Sequence, residues 1–356
     1  MRGLIDRLDR QKRLELEEWT ALLSGFDAGT ADYAARRARE LSLERFGKRV
    51  YFRGIVEFTN ICRNDCLYCG LRRSNSHAVR YRLEPEEILA CCREGYALGY
   101  RTFVLQGGED PYYTDQVLCQ LVSGITGEFP EAAVTLSVGE RSRGSYQRLF
   151  DAGARRYLLR HETAAPALYR RVHPPEMSWE NRMRCLRDLR EIGYQTGCGM
   201  MVGLPGQTAE DLARDMVFLG EFQPQMIGMG PFLPHHDTPL RDCPAGSVEL
   251  TLFLLSLSRI MLPDVLLPAT TALDGGWEDG RTRGILAGAN VIMPNLSPVA
   301  VRKDYLLYDG KPGLTQDAAD SLRSLREAVT SIGYELVVGR GDYGEWRNEH
   351  GIFQGF

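Results

Sequence analysis

The sequence predicts an α/β protein: a complete (β/α)8 TIM barrel with an N-terminal helical extension and a short C-terminal region. Three observations predict it. Strand-like apolar runs alternate with helix-like amphipathic segments. The alternation keeps one direction through eight units. The unusual polar residues collect where strands end. One-way alternation of this kind calls for a parallel sheet, and eight units are the number that closes a barrel. An open doubly wound sheet is the alternative the pattern leaves.

The elements follow in order. Residues 1–46 read as helices, with Leu14, Leu16, Trp19, Leu22 and Leu23 at helical spacing and a second segment over Ala31–Phe46. Strand Val50–Phe58 precedes helix Glu84–Leu98, which opens with Glu-Pro-Glu-Glu. Arg101–Leu105 precedes Thr114–Gly127, Ala133–Val138 precedes Ser142–Ala152, and Arg156–His161 precedes Trp179–Ile192. Gln195–Val202 precedes Thr208–Phe222, where Thr208 is the expected N-cap. Met226–Phe232 precedes Glu249–Met261, Leu266–Thr271 precedes Asp279–Ala287, and Asn290–Met293 is the eighth strand. The barrel is thus expected over residues 47–300. Residues 301–356 form a C-terminal extension packed on it, with one helix, Gln316–Ile332.

Composition excludes several classes. Among 356 residues, 43 Lys and Arg face 47 Asp and Glu, so the formal charge is −4 and no polyanion-binding signal is present. An apolar share of 44% is enough to fold. The longest apolar runs, such as Gly199–Leu204 and Val265–Ala269, fall far short of the ~20 residues of a membrane span. The first twenty residues are charged throughout, with no secretory h-region, so a cytoplasmic location is expected. Nucleic acid and membrane are not expected partners. The nine cysteines are therefore expected as thiols. Six are scattered and read as buried, inert groups.

The other three, Cys62, Cys66 and Cys69, stand in a C-x3-C-x2-C pattern on the loop after the first strand. Three such thiolates can hold three irons of a 4Fe-4S cube. The fourth iron is then open to chelate the amino and carboxylate groups of a small molecule. A zinc site is the competing reading. It needs a fourth ligand, for which His77 lies eight residues on, and it favours C-x2-C pairs.

Further polar groups mark the other strand ends. Gln106-Gly107-Gly108-Glu109-Asp110 follows the second strand; its glycines let backbone come close to a ligand. Thr135 and Ser137 share a face at the end of the third. Arg160 and Glu162 share a face at the end of the fourth, as a ligand-binding pair or a structural ion pair, while His161 points away and is packed. Arg182 opens the next helix and can bond a carboxylate. Met200 and Met201 read as core. His235, His236 and Asp237 read as a rigid proline-bounded loop with one histidine towards the cavity, rather than a metal site. Thr270 and Thr271 put two hydroxyls at the mouth, Met293 ends the eighth strand, and Tyr305 and Tyr308 are placed to fold over the opening.

The cysteine pattern, with Tyr68 before its last cysteine, resembles the radical S-adenosylmethionine (SAM) superfamily. The stretches FTNICRNDCLYCGLRRSN, VLQGGEDPYY, AVTLSVGE, RYLLRHETAAP, GCGMMVGLPGQT, MGPFLPHHDTPL, LPATTA and NVIMPN resemble one family within it, the HydE maturases of the FeFe hydrogenase active site. They run in order from about residue 50 to 310. The resemblance implies a 4Fe-4S cluster on Cys62, Cys66 and Cys69 with an open iron. It implies SAM held by Tyr68, Gln106, Gly107, Gly108, Glu109, Ser137, Glu162, Arg182 and Met226. It implies a substrate cavity lined by Thr135, Arg160, Thr270, Thr271, Met293 and Tyr305. The implied reaction is attack of a 5′-deoxyadenosyl radical on a cysteine-bound Fe(CO)2(CN) precursor made by the maturase HydG. Transient contact with HydG and with HydF is implied as well. A methylornithine synthase-like mutase acting on an amino acid is the alternative. Biotin synthase fits less well, since no cysteine set for a second internal cluster is present. A scaffold that only hands over an iron cluster would not need the SAM-holding residues. No cysteine follows Cys243, so the C-terminal auxiliary cluster of many family members is not expected.

Overall fold

The computed structural model describes residues 1–274 and 279–344. Among them the strands are β1 Arg49–Phe52, β2 Gly54–Thr59, β3 Thr102–Gly107, β4 Ala133–Ser137, β5 Arg156–Leu158, β6 Gln195–Cys198, β7 Met201–Val202, β8 Met226–Ile227, β9 Gly230–Pro231, β10 Val291–Ile292 and β11 Glu335–Val337. The first expected strand is split at Arg53, whose guanidinium turns aside to Met226 Sδ and Gly341 O, both at 3.1 Å. The fifth and sixth are split at Gly199–Met200 and Gly228–Met229.

A six-stranded sheet runs β2-β3-β4-β5-β6-β8, with every pair parallel. Single parallel bridges continue it from Met226 to Leu266 and from Pro268 to Val291. From there β10 pairs parallel with β1, and Ile55 bridges Asn295. The seventh expected strand, Leu266–Thr271, is present only as those bridges. Pro268 removes an amide donor at its centre, which keeps a ladder from forming.

Helices lie between the strands. Ser142, Ser178, Thr208 and Ser247 each cap the helix that follows with a side-chain oxygen. The N-terminal residues form three helices, Arg2–Gln11, Leu16–Ser24 and Ala28–Phe46. They bury Trp19, Leu22 and Leu41 against Ala209–Phe222 and Val248–Met261. Among the described residues no helix is long and apolar enough to cross a membrane.

The C-terminal region holds more than the one helix expected. Helix Ala318–Ser331, capped by Asp317, is followed by β11, which pairs parallel with β1 through Val50 and Leu336. The next residues run across the N-terminal ends of the strands. Thr102 Oγ1 donates to Arg340 O at 2.8 Å, and the buried Arg156 reaches Asp342 at 2.6 Å. Gln195 Nε2 donates to the same carboxylate at 2.9 Å. The opposite end, where the strands finish, is left to the functional loops.

Candidate active site

The loop after β2 is tied down by charge and by amide groups. Asn60 Nδ2 donates to Val79 O and Asp304 O, each at 2.7 Å. The Arg80 guanidinium donates to four loop carbonyls, those of Asn60, Leu71, Arg72 and Asn75. Asp65 accepts from Arg72 at 2.9 Å and from the Ser74 amide, which holds its carboxyl far below the usual range. This frame presents Cys62, Cys66 and Cys69 as partly exposed free thiols. Burial pushes all three thiols up, Cys69 to about 12, and their mutual repulsion adds to the shift at Cys66 and Cys69. Of the six other cysteines, Cys91, Cys92, Cys185 and Cys198 are buried as expected, whereas Cys119 and Cys243 are partly exposed.

Glycine is required where two loops meet here. A Cβ on Gly108 would overlap Ile61 O and stand 2.8 Å from Cys62 Cβ. The glycine pair thus brings the post-β3 loop against the cysteine loop itself, and the Glu109 amide lies 3.4 Å from Cys62 Sγ.

A cavity of about 690 Å³ opens beneath the cysteine loop. Twelve of the expected residues line it: Cys66, Tyr68, Cys69, Gln106, Gly107, Ser137, Arg160, Glu162, Thr270, Thr271, Met293 and Tyr305. Arg160 Nη2 donates to Met200 O at 2.6 Å and stands 3.3 Å from Glu162 Oε2, so the expected ion pair exists within the ligand-facing wall. Glu162 has φ +64°, unusual for a side chain of its size, and Oε2 is buried with no hydrogen-bond partner. A strained backbone and an oxygen that has an ion pair but no hydrogen bond mark a position held for something other than stability. His161 points away, with Nε2 3.1 Å from the buried Asp215 carboxylate and Nδ1 accepting from the Gly199 amide.

Six expected residues stand elsewhere. Cys62 and Gly108 lie in the loops above the cavity. The Glu109 carboxylate accepts from Arg63 and from the Glu140 amide and faces a neighbouring polar cleft of about 410 Å³. Arg182 is buried behind Arg160, donating to its carbonyl and to Glu140 at 2.6 Å. Thr135 lies two residues below Ser137 on the same face, and its buried hydroxyl has no partner. Met226 is a correction. It begins β8, at the strand end away from these loops, and packs with Phe46, Tyr51, Leu266 and Val291. Gly230 and Pro231, four and five residues further on, line the cavity, whereas the Met226 sulfur meets Arg53.

The structure adds residues that the sequence reading missed. Tyr68 Oη lies 3.1 Å from His173 Nε2, while His173 Nδ1 lies 3.0 Å from Tyr169 O. The carbonyl can only accept, so Nδ1 carries the proton and Nε2 accepts from the tyrosine. Burial, together with the charge of Arg182, lowers the imidazole to about 3, which keeps it neutral. Glu57 and Lys311 also reach the cavity wall. The alternation Ile55, Glu57, Thr59 would have found Glu57; nothing local announces Lys311.

The segment after Arg302 covers the opening. Gly70 N donates to Leu307 O and Asp309 N to Pro234 O. Tyr308 Oη lies 3.2 Å from Thr271 Oγ1, and both tyrosines named for this role line the cavity. His235 and His236 are stacked at 4.4 Å, with Asp309 at 4.0 and 2.7 Å. With the Asp309 carboxylate, these two rings bring three possible metal-ligand atoms within 4.8 Å of one another. His77 pairs with Asp237 at 2.8 Å, and so is engaged away from the cysteines.

Comparison with known proteins bears directly on this geometry. Residues 56–219 match the Radical SAM superfamily. The chain is 47% identical over 310 residues to the [FeFe] hydrogenase maturase subunit HydE of Thermotoga maritima, covering 87% of this chain and 88% of that one. The chain belongs to the HydE family. It is accordingly a radical SAM enzyme, of a superfamily built on a 4Fe-4S cluster and SAM. This HydE-family chain is also 29% identical over 262 residues to the 3-methylornithine synthase of Methanosarcina acetivorans, with 73% and 72% of the two chains covered. The crystal structure of methylornithine synthase shares the fold, with TM-score 0.81 over 98% of this chain and 100% of that one at 24% identity.

The donor set fits the cluster. Three thiols this close repel one another once ionised, and a positively charged iron–sulfur core among them removes that penalty. The Glu162 oxygen, which faces the cavity without a hydrogen bond, fits a polar ligand entering there.

Proposed function

We propose that this HydE-family enzyme matures the two-iron subcluster of an FeFe hydrogenase, acting on a cysteine-bound Fe(CO)2(CN) precursor within a complete (β/α)8 barrel. One observation carries the reading: a single cavity joins Cys66 and Cys69 to Arg160, Thr270, Thr271 and Tyr305. The run of parallel pairings and bridges from β2 round to Asn295 supports the closed barrel.

Cys62, Cys66 and Cys69 would hold the cluster. Once bound and reduced by an external electron donor, the cluster would supply the electron for radical chemistry on SAM. The chain's own residues bind and orient. Glu109 offers a carboxylate to the methionyl amine once Arg63 yields it. Arg182 supports the site from behind, and Glu162 and Ser137 bond SAM from the cavity side. Arg160 supplies positive charge for cyanide and carboxylate, with Thr135, Thr270 and Thr271 as neutral donors. Tyr305 and Tyr308 exclude water above the reacting groups. The same reading places the enzyme in the cytoplasm, in transient contact with HydG and HydF.

The buried Glu57 favours a second reading, a mutase of free amino acids, because it offers the carboxylate an amine needs. One anaerobic experiment separates the two. The reconstituted, reduced enzyme is given SAM, and 5′-deoxyadenosine is measured with the iron complex, with lysine or with neither. Strong stimulation by the complex supports the maturase. Stimulation by lysine alone overturns it.

A further inference from the structure

Glu57 and Lys311 are 254 residues apart, yet Lys311 Nζ lies 2.5 Å from Glu57 Oε1. Both are almost wholly buried, and both line the large cavity. Glu57 comes from β2, in the barrel wall. Lys311 comes from the segment that closes the opening. Asn295 Nδ2 donates to Glu57 Oε2 at 2.7 Å, and Lys311 Nζ donates to Tyr305 O at 3.0 Å. The ammonium also stands 4.7 Å from the centre of the Tyr305 ring.

Neither group is saturated by these contacts. An ammonium has three protons, of which Glu57 and Tyr305 take two. A carboxylate accepts about four hydrogen bonds, of which two are used. A buried ion pair is a poor stabilising device, because desolvation offsets most of the attraction. A pair of apolar residues would tie the covering segment at least as well. Spare capacity in a ligand cavity gives the pair another use. An adjacent cation and anion are complementary to a ligand that carries an anion beside a cation. Such a ligand adds no net charge to the buried site. Arg160 serves a different part of the ligand. It follows β5, three strands along the sheet from β2, and it has its own counter-ion in Glu162.

We propose that Glu57 and Lys311 form an α-amino-acid subsite, with Lys311 taking the α-carboxylate and Glu57 the α-ammonium of the substrate. This rests on the reading above that the cavity holds the substrate, and it names the cysteine portion as the part recognised there. The iron-bearing end is then left towards Arg160.

The test uses the reconstituted holoenzyme with SAM, under anaerobic conditions. Three probes are titrated by calorimetry: S-methyl-L-cysteine, the same molecule without its carboxylate, and the same molecule without its amine. The wild type is expected to bind the full amino acid roughly tenfold or more tighter than either truncated probe, as for hydrogen bonds to charged groups. Lys311→Met should abolish the preference for the carboxylate, and Lys311→Arg should keep it. Glu57→Gln should abolish the preference for the amine. The double variant Glu57→Gln/Lys311→Met, which leaves no unpaired buried charge, should fold and lack both preferences. Equal binding of all three probes to the wild type overturns the subsite. So does a double variant that keeps both preferences, since the pair would then be a tether. Stimulation of 5′-deoxyadenosine by the iron complex is read in the same samples. Stimulation without probe discrimination removes the subsite and leaves the maturase. Discrimination without stimulation removes the maturase and leaves the subsite.

Discussion

Cys66 lines the cavity beside Cys69. Burial opposes its ionisation most, its neighbours Cys69 and Cys62 add to that, and the charge of Arg182 works the other way. The loop therefore needs a cation to hold three thiolates. Cys66→Ala should lower bound iron well below four per chain and abolish SAM cleavage with it. Iron analysis and 5′-deoxyadenosine measurement check this together, and cleavage that survived would refute the ligand assignment. Arg160 tests a different property. Its guanidinium faces the cavity, and its only charged neighbour within ion-pair distance among the described residues is Glu162. Arg160→Ala should leave iron content and SAM affinity near wild type. Turnover with the iron complex should fall roughly a hundredfold, about what loss of a charge-assisted bond to substrate costs.

At the scale of elements, the site is set by how closely loops approach. The cysteine loop and the post-β3 loop touch through Gly108, where no Cβ fits between Ile61 and Cys62. Gly70 has the same role lower in the loop, against Leu306 and His235. Gly108→Ala should push the cysteine loop outward while the strands stay in place. The expected result is an unchanged melting temperature of the metal-free protein with a several-fold loss in retained iron. A variant that retained iron fully would show that the loop can yield. Strand β5 is held from its other face by His161 and Asp215, and the Asp215 carboxylate also accepts from the Ala164 amide. This locks the end of β5 to helix Ala209–Phe222. It explains how Arg160 and Glu162 can point inward in a strained turn.

At the scale of the whole molecule, the chain closes on itself at the end remote from the site. Burial raises the Asp342 carboxyl, but the charge and hydrogen bond of Arg156 outweigh it and hold the group at about 2. A carboxyl lowered in the folded state stabilises fully above its unfolded value of 3.8, and that stabilisation is lost as pH falls through about 2. The shift is worth about 2 kcal/mol at neutral pH. Asp342→Asn should therefore cost about 2 kcal/mol near pH 7, since the buried Arg156 charge loses this carboxylate. The difference from wild type should shrink between pH 4 and pH 2. Urea unfolding across that range checks both the sign and the window. An unchanged difference at low pH would place the contribution elsewhere.

Local pattern determined much of this protein. Spacing alone put three cysteines on one loop, and alternation alone put Arg160 and Glu162 on one face with His161 on the other. The repeated strand–helix order gave the parallel sheet, because side-chain period and turn chemistry are properties of a few neighbouring residues. Other features depended on contacts that no local window contains. Met226 sits at the wrong end of a short strand for the role expected of it, and strand length is decided by pairing rather than by composition. Residues 335–337 read as featureless until they add a strand to β1. Lys311 has no sequence motif around it and acquires a role only when its segment folds over Glu57. The sequence by itself determined which chemistry the strand ends carry. Tertiary structure decided which charges meet in the cavity, because buried charges choose partners across the whole chain.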